Sequence, residues 1–218
     1  MATRPVPFAL KNAHQLGKQR FQAWFLVRNL VPQPYRSLYE GHLHIPGQMW
    51  FEERRQLYEF VRRLRPARCF EVGTWLGGGS TLAIARALRD NGSGHLHTIE
   101  VDPDVHRQTV DRWERHLSDL RPFVEFHVGD YRELFPPLIP EGVDFFVLDG
   151  AEDGEETMEQ FRFFEEHSHV GTGLFAHDWE TEKARLVRPA LEHSERWELD
   201  AVLGPPKSVG MALAHRRA

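Results

Sequence analysis

Between Arg68 and the C-terminus, short apolar runs alternate with longer stretches in which apolar residues recur every three or four positions. The first pattern suits a strand covered on both faces and the second a helix with one buried stripe, so their order reads as βα units building a mostly parallel sheet. Five strands are predicted in turn: ARCFEVG (67–73), HLHTIEV (95–101), VEFHVGD (124–130), VDFFVLDG (143–150) and TGLFAHD (172–178). Two more, WELDAVL (197–203) and SVGMALAH (208–215), lie either side of a Gly-Pro-Pro turn and read as an antiparallel C-terminal strand pair at the sheet edge.

The intervening segments supply helices. Ser80 to Arg89 carries Leu82, Ile84, Ala85 and Leu88, Pro103 to Leu117 opens on an Asp-Pro start signal, and Glu155 to Glu166 carries Met158, Phe161 and Phe164. Thr181 to His193 is predicted helical with a break at Pro189, whose ring cannot continue the hydrogen-bond ladder. Upstream, Glu52 to Leu64 forms a helix leading into the sheet and Phe21 to Val31 a shorter amphipathic one. Residues 1–66 are therefore expected to be a helical N-terminal extension or cap on one α/β domain spanning 67–218.

The stretch EVGTWLGGGS joins the first strand to its helix with four glycines, Gly73, Gly77, Gly78 and Gly79. A loop so poor in side chains lets a ligand press against backbone N–H groups at a helix N-terminus, which suits a nucleotide-like ligand. Dinucleotides and S-adenosylmethionine both fit that description, but the spacing E-x-G-x-x-x-G-G-G-S is a poor match to the dinucleotide form G-x-G-x-x-G.

Composition narrows the partners. With 27 Lys and Arg against 32 Asp and Glu, the net charge of -5 supplies no attraction for nucleic acid. The apolar piece from Phe21 to Val31 is too short to span a bilayer, and no secretory pattern precedes it, so no membrane partner and a cytoplasmic location are expected. Its aromatic residues would suit a homodimer contact. The single cysteine, Cys69, lies within the first apolar run and reads as a small buried hydrophobe.

Taken together, Glu71-Val72-Gly73 with Gly77, Gly78 and Ser80, then HTIEVDP, VGDYREL, VDFFVLDGAEDG and GLFAHD, resemble a class I S-adenosylmethionine-dependent methyltransferase. The chain is most similar to the small catechol-type O-methyltransferases and the sugar and natural-product enzymes related to them. The resemblance runs roughly from Glu52 to the C-terminus. It implies a Rossmann-like, doubly wound, seven-stranded sheet, S-adenosylmethionine as cofactor, and a hydroxyl of a small natural product, sugar or phenol as methyl acceptor.

It also implies roles. Glu71 and Gly73 would line the methionine end of the cofactor, with Gly77, Gly78 and Ser80 presenting the helix N-terminus to its carboxylate. Glu100, ending the second strand, would accept both ribose hydroxyls. Asp130 and Tyr131 would lie along the adenine, and Asp149 beside the sulfonium.

Catechol-type enzymes hold magnesium with acids ending the fourth and fifth strands and an Asn or Asp following the latter. Asp149 and Asp178 match the first two positions, whereas Trp179 takes the third and has no lone pair for a hard cation, leaving Glu152 or Glu180 as substitutes. The catechol-type lysine, three residues after the fourth-strand acid, is replaced by Glu152. Glu152 and His177 are the candidate bases beside Asp149, although strand alternation turns His177 away if Asp178 faces the site. His42 and His44 could reach over the cavity, and Tyr35, Met49, Trp50 and Trp179 could wall an aromatic acceptor. Two other readings stay open on the residues alone: a domain that keeps the cofactor cavity without turnover, and a nicotinamide-dependent oxidoreductase.

Overall fold

The computed structural model describes Tyr35, Leu38, residues 44–204 and residues 209–218. The segment Phe21 to Val31 and His42 lie outside them. Seven strands form one sheet: β1 (Arg68–Val72), β2 (His95–Glu100), β3 (Val124–Val128), β4 (Val143–Leu148), β5 (Ser168–His177), β6 (Trp197–Leu203) and β7 (Met211–Arg216), in the spatial order β3-β2-β1-β4-β5-β7-β6. The pairings from β3 across to β5 are parallel, and β7 runs antiparallel to both β5 and β6. The predicted doubly wound sheet with an antiparallel C-terminal pair is what the structure has.

Helices α1 (Phe51–Leu64), α2 (Ser80–Asn91), α3 (Pro103–His116), α4 (Tyr131–Leu134), α5 (Gly154–Glu166) and α6 (Val187–Glu192) cover the sheet. Strand alternation divides the core. Cys69, Leu96, Phe145, Val147 and Phe175 face α1, α2 and α3, while Phe70, Ile99, Phe146, Leu148 and Leu174 face the short α4 together with α5 and α6. Two of the longer helices start on side-chain caps. Asp102 caps α3, its carboxylate accepting from Asp104 N at 2.8 Å with Pro103 in the first turn, and Asp153 caps α5 by accepting from Glu156 N at 2.9 Å.

Two of the boundaries that differ from the sequence reading have a clear physical cause. Strand β5 begins at Ser168 instead of residue 172, because Ser168 continues the pairing opposite Val143 before the register shifts. The helix expected over Thr181 to His193 is split into a 3₁₀ turn, Glu182–Ala184, and α6, so the break precedes Pro189. Pro189 falls in the first turn of α6, where an N–H has no intrahelical partner to lose.

Strands β1, β2, β4 and β5 all end at one edge of the sheet, and the strand order turns back between β1 and β4. Open α/β sheets bind ligands at such a switch point, outside the strand C-termini. Among the described residues no helix is long and apolar enough to cross a membrane.

Candidate active site

A cavity of about 340 Å³ opens at that edge. Its one wall is the chain leaving β1 and β2: Gly73, Thr74, Trp75, Ser80, Ile99 and Glu100. The other follows β4 and β5, with Asp149, Gly150, Glu152, His177, Asp178 and Lys183, and Gly47 to Met49 close it from the N-terminal side.

The glycines have two duties. A Cβ on Gly73 would lie 2.6 Å from the Cα of Gly150, so the ends of β1 and β4 meet only because both residues lack one, and φ of Gly73 is +100°. A Cβ on Gly78 would fall 2.2 Å from the carbonyl oxygen of Pro46, and one on Gly47 would strike the backbone of Gly78 at 2.1 Å. Gly77 is pressed against the Trp113 indole, 2.5 Å from where its Cβ would be. Gly77 and Gly78 therefore seat the N-terminal segment and α3 on the loop, and neither lines the cavity. Gly73, Gly79 and Ser80 line it instead.

Glu71 is fully buried behind the loop. Its Oε1 accepts from Ser80 Oγ at 2.5 Å, and its Oε2 from Thr81 Oγ1 and Thr98 Oγ1, both at 2.6 Å. Register brings Thr98 there, since it pairs with Glu71 across β1 and β2. The carboxylate implied at the methionine end is thus enclosed by hydroxyls. Burial pushes its pKa up to about 7, against the three hydroxyl bonds that lower it, with the negative charge of Asp149 adding to the rise.

Glu100 does line the cavity. Its Oε2 accepts from Trp75 N at 2.8 Å and its Oε1 from Asp102 N at 3.0 Å, which fixes the carboxylate and leaves each oxygen a second lone pair. Asp130 and Tyr131 do not line it. Asp130 caps α4, accepting from Arg132 N at 2.8 Å, and Tyr131 is buried against Phe163 with ring centroids 5.2 Å apart.

The far wall carries the charge. Asp149 Oδ1 lies 3.1 Å from His177 Nδ1, Asp178 Oδ1 lies 3.6 Å from the same nitrogen, and Glu53 Oε2 lies 3.8 Å from Nε2. Strand alternation, expected to turn His177 away, fails because β5 ends there and Asp178 takes φ +57°, so both side chains reach the cavity. Burial opposes charge on His177, yet the charge and hydrogen bond of Asp149, with Glu53 and Asp178 adding, raise its pKa to about 10. Held as an imidazolium, it is a cation among carboxylates and has no free lone pair for a proton or a metal.

Two members of this cluster were not read from the sequence. Glu53, 0 % exposed, comes from the first turn of α1, where its Oε2 also accepts from Trp50 N at 2.7 Å. Lys183 comes from the 3₁₀ turn after β5, capped by Thr181, and its Nζ lies 3.1 Å from Asp178 Oδ2. The only sequence trace of Glu53 is an acid three residues after a helix start.

These residues do not fit a magnesium ion. The third ligand position is Trp179, which is 1 % exposed and packed in the core, and Glu180 is paired with Arg188 at 2.9 Å. The two aspartates already face the chain's own imidazolium and ammonium, and the third donor beside them is nitrogen, which a hard cation disfavours. Of the proposed apolar walls only Met49 lines the cavity, and Trp75 joins it. His44 stacks on His116, 4.5 Å away, in a separate surface cavity.

Known proteins share the family and the fold. A family model described as a methyltransferase domain matches residues 70–179. No curated protein matches the sequence. Among solved structures, the O-methyltransferase TomG of Streptomyces achromogenes, involved in tomaymycin synthesis and solved with S-adenosylmethionine, superposes with a TM-score of 0.66 at 19% identity, covering 95% of this chain and 99% of that one. An O-methyltransferase of Bacillus cereus, solved with S-adenosylhomocysteine, gives 0.67 at 18% identity over 93% of this chain and 100% of that one. At such identities the similarity is one of fold.

Proposed function

The chain belongs to the methyltransferase-domain family, and from that premise we propose that it transfers a methyl group from S-adenosylmethionine to a hydroxyl of a small molecule. The observation that carries this reading is one cavity lined on one side by Gly73, Ser80 and Glu100 and on the other by Asp149, Glu152 and Lys183. The first side suits a nucleoside with an amino-acid tail: Glu100 takes the ribose hydroxyls and the α2 N-terminus the carboxylate. The second suits an acceptor that must lose a proton.

Transfer is an in-line displacement. The acceptor oxygen bonds to the methyl carbon, the sulfur–methyl bond breaks with its electron pair going to sulfur, and the hydroxyl proton leaves to a carboxylate. Placing the oxygen about 3 Å from the carbon is the main requirement. Asp149, oriented by His177, takes the hydroxyl hydrogen bond, and Glu152 at the mouth passes the proton to water. Lys183 supplies the positive charge that lowers the acceptor's pKa, a duty a metal performs elsewhere. Acceptor deprotonation then needs no magnesium.

Titration calorimetry of S-adenosylmethionine and of NAD, each in EDTA and then with magnesium, tests this. The expected result is binding of S-adenosylmethionine alone, unchanged by EDTA. Binding of NAD, or of neither, overturns the cofactor assignment. A panel of phenols, sugars and other hydroxyl compounds, assayed for methyl transfer with the parent and Lys183→Met, tests the chemistry: the variant should lose about 10²-fold or more in kcat. A magnesium requirement in the parent would overturn the metal-free scheme.

A further inference from the structure

A second cluster of ligating side chains lies outside this cavity, on the first half of β2 and on the edge strand β3. His95 and His97 are two residues apart on β2 and share a face, as do Glu125 and His127 on β3, and parallel register sets His97 directly beside Glu125. Both pairs consequently converge on one patch. The ring centroids of His95 and His97 are 5.0 Å apart, and those of His97 and His127 are 5.4 Å apart.

We infer that His95, His97 and Glu125, with His127 beside them, form a site for one divalent transition ion of the zinc, cobalt or nickel kind. One ligand atom from each of the first three lies within 4.8 Å of the others. His97 Nδ1 is 3.4 Å from Glu125 Oε2, and a 3.2 Å hydrogen bond joins it to His127 Nε2. Donors at 2.0–2.1 Å around a tetrahedral ion stand about 3.3–3.4 Å apart, so the His97–Glu125 separation is that of neighbouring ligands on one ion.

The chemistry of the donors agrees. Imidazole nitrogens with one carboxylate favour a borderline transition ion over magnesium or calcium. The rings are held before any ion arrives: Phe70 stacks on His97 at 5.3 Å, and Phe135 stands edge-on to His127 at 6.1 Å. Glu125 is exposed and leaves an entry path. An ion there would tie edge strand β3 to β2, the strand that ends in Glu100.

The test uses metal-stripped full-length protein titrated with Co²⁺, read by visible ligand-field absorption and by calorimetry. The expected result is saturation at one equivalent. His97→Gln should weaken binding at least about tenfold, His127→Gln should alter the band shape, and Asp178→Asn should leave both unchanged. Zn²⁺ at about a hundredfold excess over Kd should raise the Tm of the parent by about 5 °C or more and that of His97→Gln by less. Failure to saturate near one equivalent, equal affinity in folded His97→Gln, or loss of binding in Asp178→Asn would each overturn the site. Far-ultraviolet circular dichroism separates lost binding from lost fold.

Discussion

The two walls of the cavity solve one problem, a buried acid, in opposite ways. Behind the glycine loop, Glu71 is surrounded by the hydroxyls of Ser80, Thr81 and Thr98, and burial moves its pKa to about 7. Beneath the β4 and β5 ends, Glu53 and Asp149 are met by the His177 imidazolium and Asp178 by the Lys183 ammonium. Hydroxyls can satisfy a carboxyl group in either protonation state, whereas a cation places a full charge beside it. The first wall is therefore built to be rigid, and the second carries charge that a reaction can use.

Removing the central cation should break the second wall most. His177→Ala removes the imidazolium that faces Asp149, Asp178 and Glu53, and loss of roughly 3–5 kcal/mol of stability in denaturant melts is expected, as for other broken buried pairs. Adding Glu53→Gln to that variant should restore part of the loss. A small cost in the single variant would mean that hydroxyl or backbone donors, not the imidazolium, hold Glu53.

The first wall responds to pH. Folded Glu71 keeps its proton to about 7, while an exposed glutamate releases it near 4.5. Between those values the folded state binds more protons than the unfolded chain, so this residue's contribution falls as pH rises through the window and is level above it. The span corresponds to about 3 kcal/mol. Glu71→Gln, whose amide resembles the protonated acid, should gain that amount on the parent from pH 4.5 to 7.5 and leave cofactor affinity unchanged. A stability difference that stays constant with pH would place a hidden positive charge near Glu71.

How much of this was legible in the sequence follows the same division. The strand runs and the glycine loop are local patterns, so β1, β2, β4 and the α2 start were readable, as was Glu100 at a strand end. The first residues of β5 were not, because Ser168 to Gly171 has the polarity of a turn. The charged wall depends on folding back: Glu53 arrives from a helix far upstream, and Lys183 from a turn after β5. His177 was turned the wrong way by alternation, since nothing in HDWE announces a left-handed backbone at Asp178. Gly77 and Gly78 resemble a ligand loop on the page but pack against protein in three dimensions.

Glu100 and Asp130, both acids at strand ends, sharpen the contrast on a smaller scale. Glu100→Ala should weaken S-adenosylmethionine by about 2 kcal/mol in calorimetry, the size of a hydrogen bond to a charged group. Unchanged affinity would remove it from the ribose. Asp130 follows β3 at the equivalent edge, yet it caps α4 and pairs with Arg132 at 3.2 Å. Asp130→Ala should cost about 1 kcal/mol of stability, the ordinary loss of an N-cap, with cofactor affinity unaltered. If calorimetry instead shows S-adenosylmethionine weakened while the melt is unchanged, the adenine extends past Ile99 to the β3 end, and position at a strand terminus would outweigh capping as the guide to a binding acid.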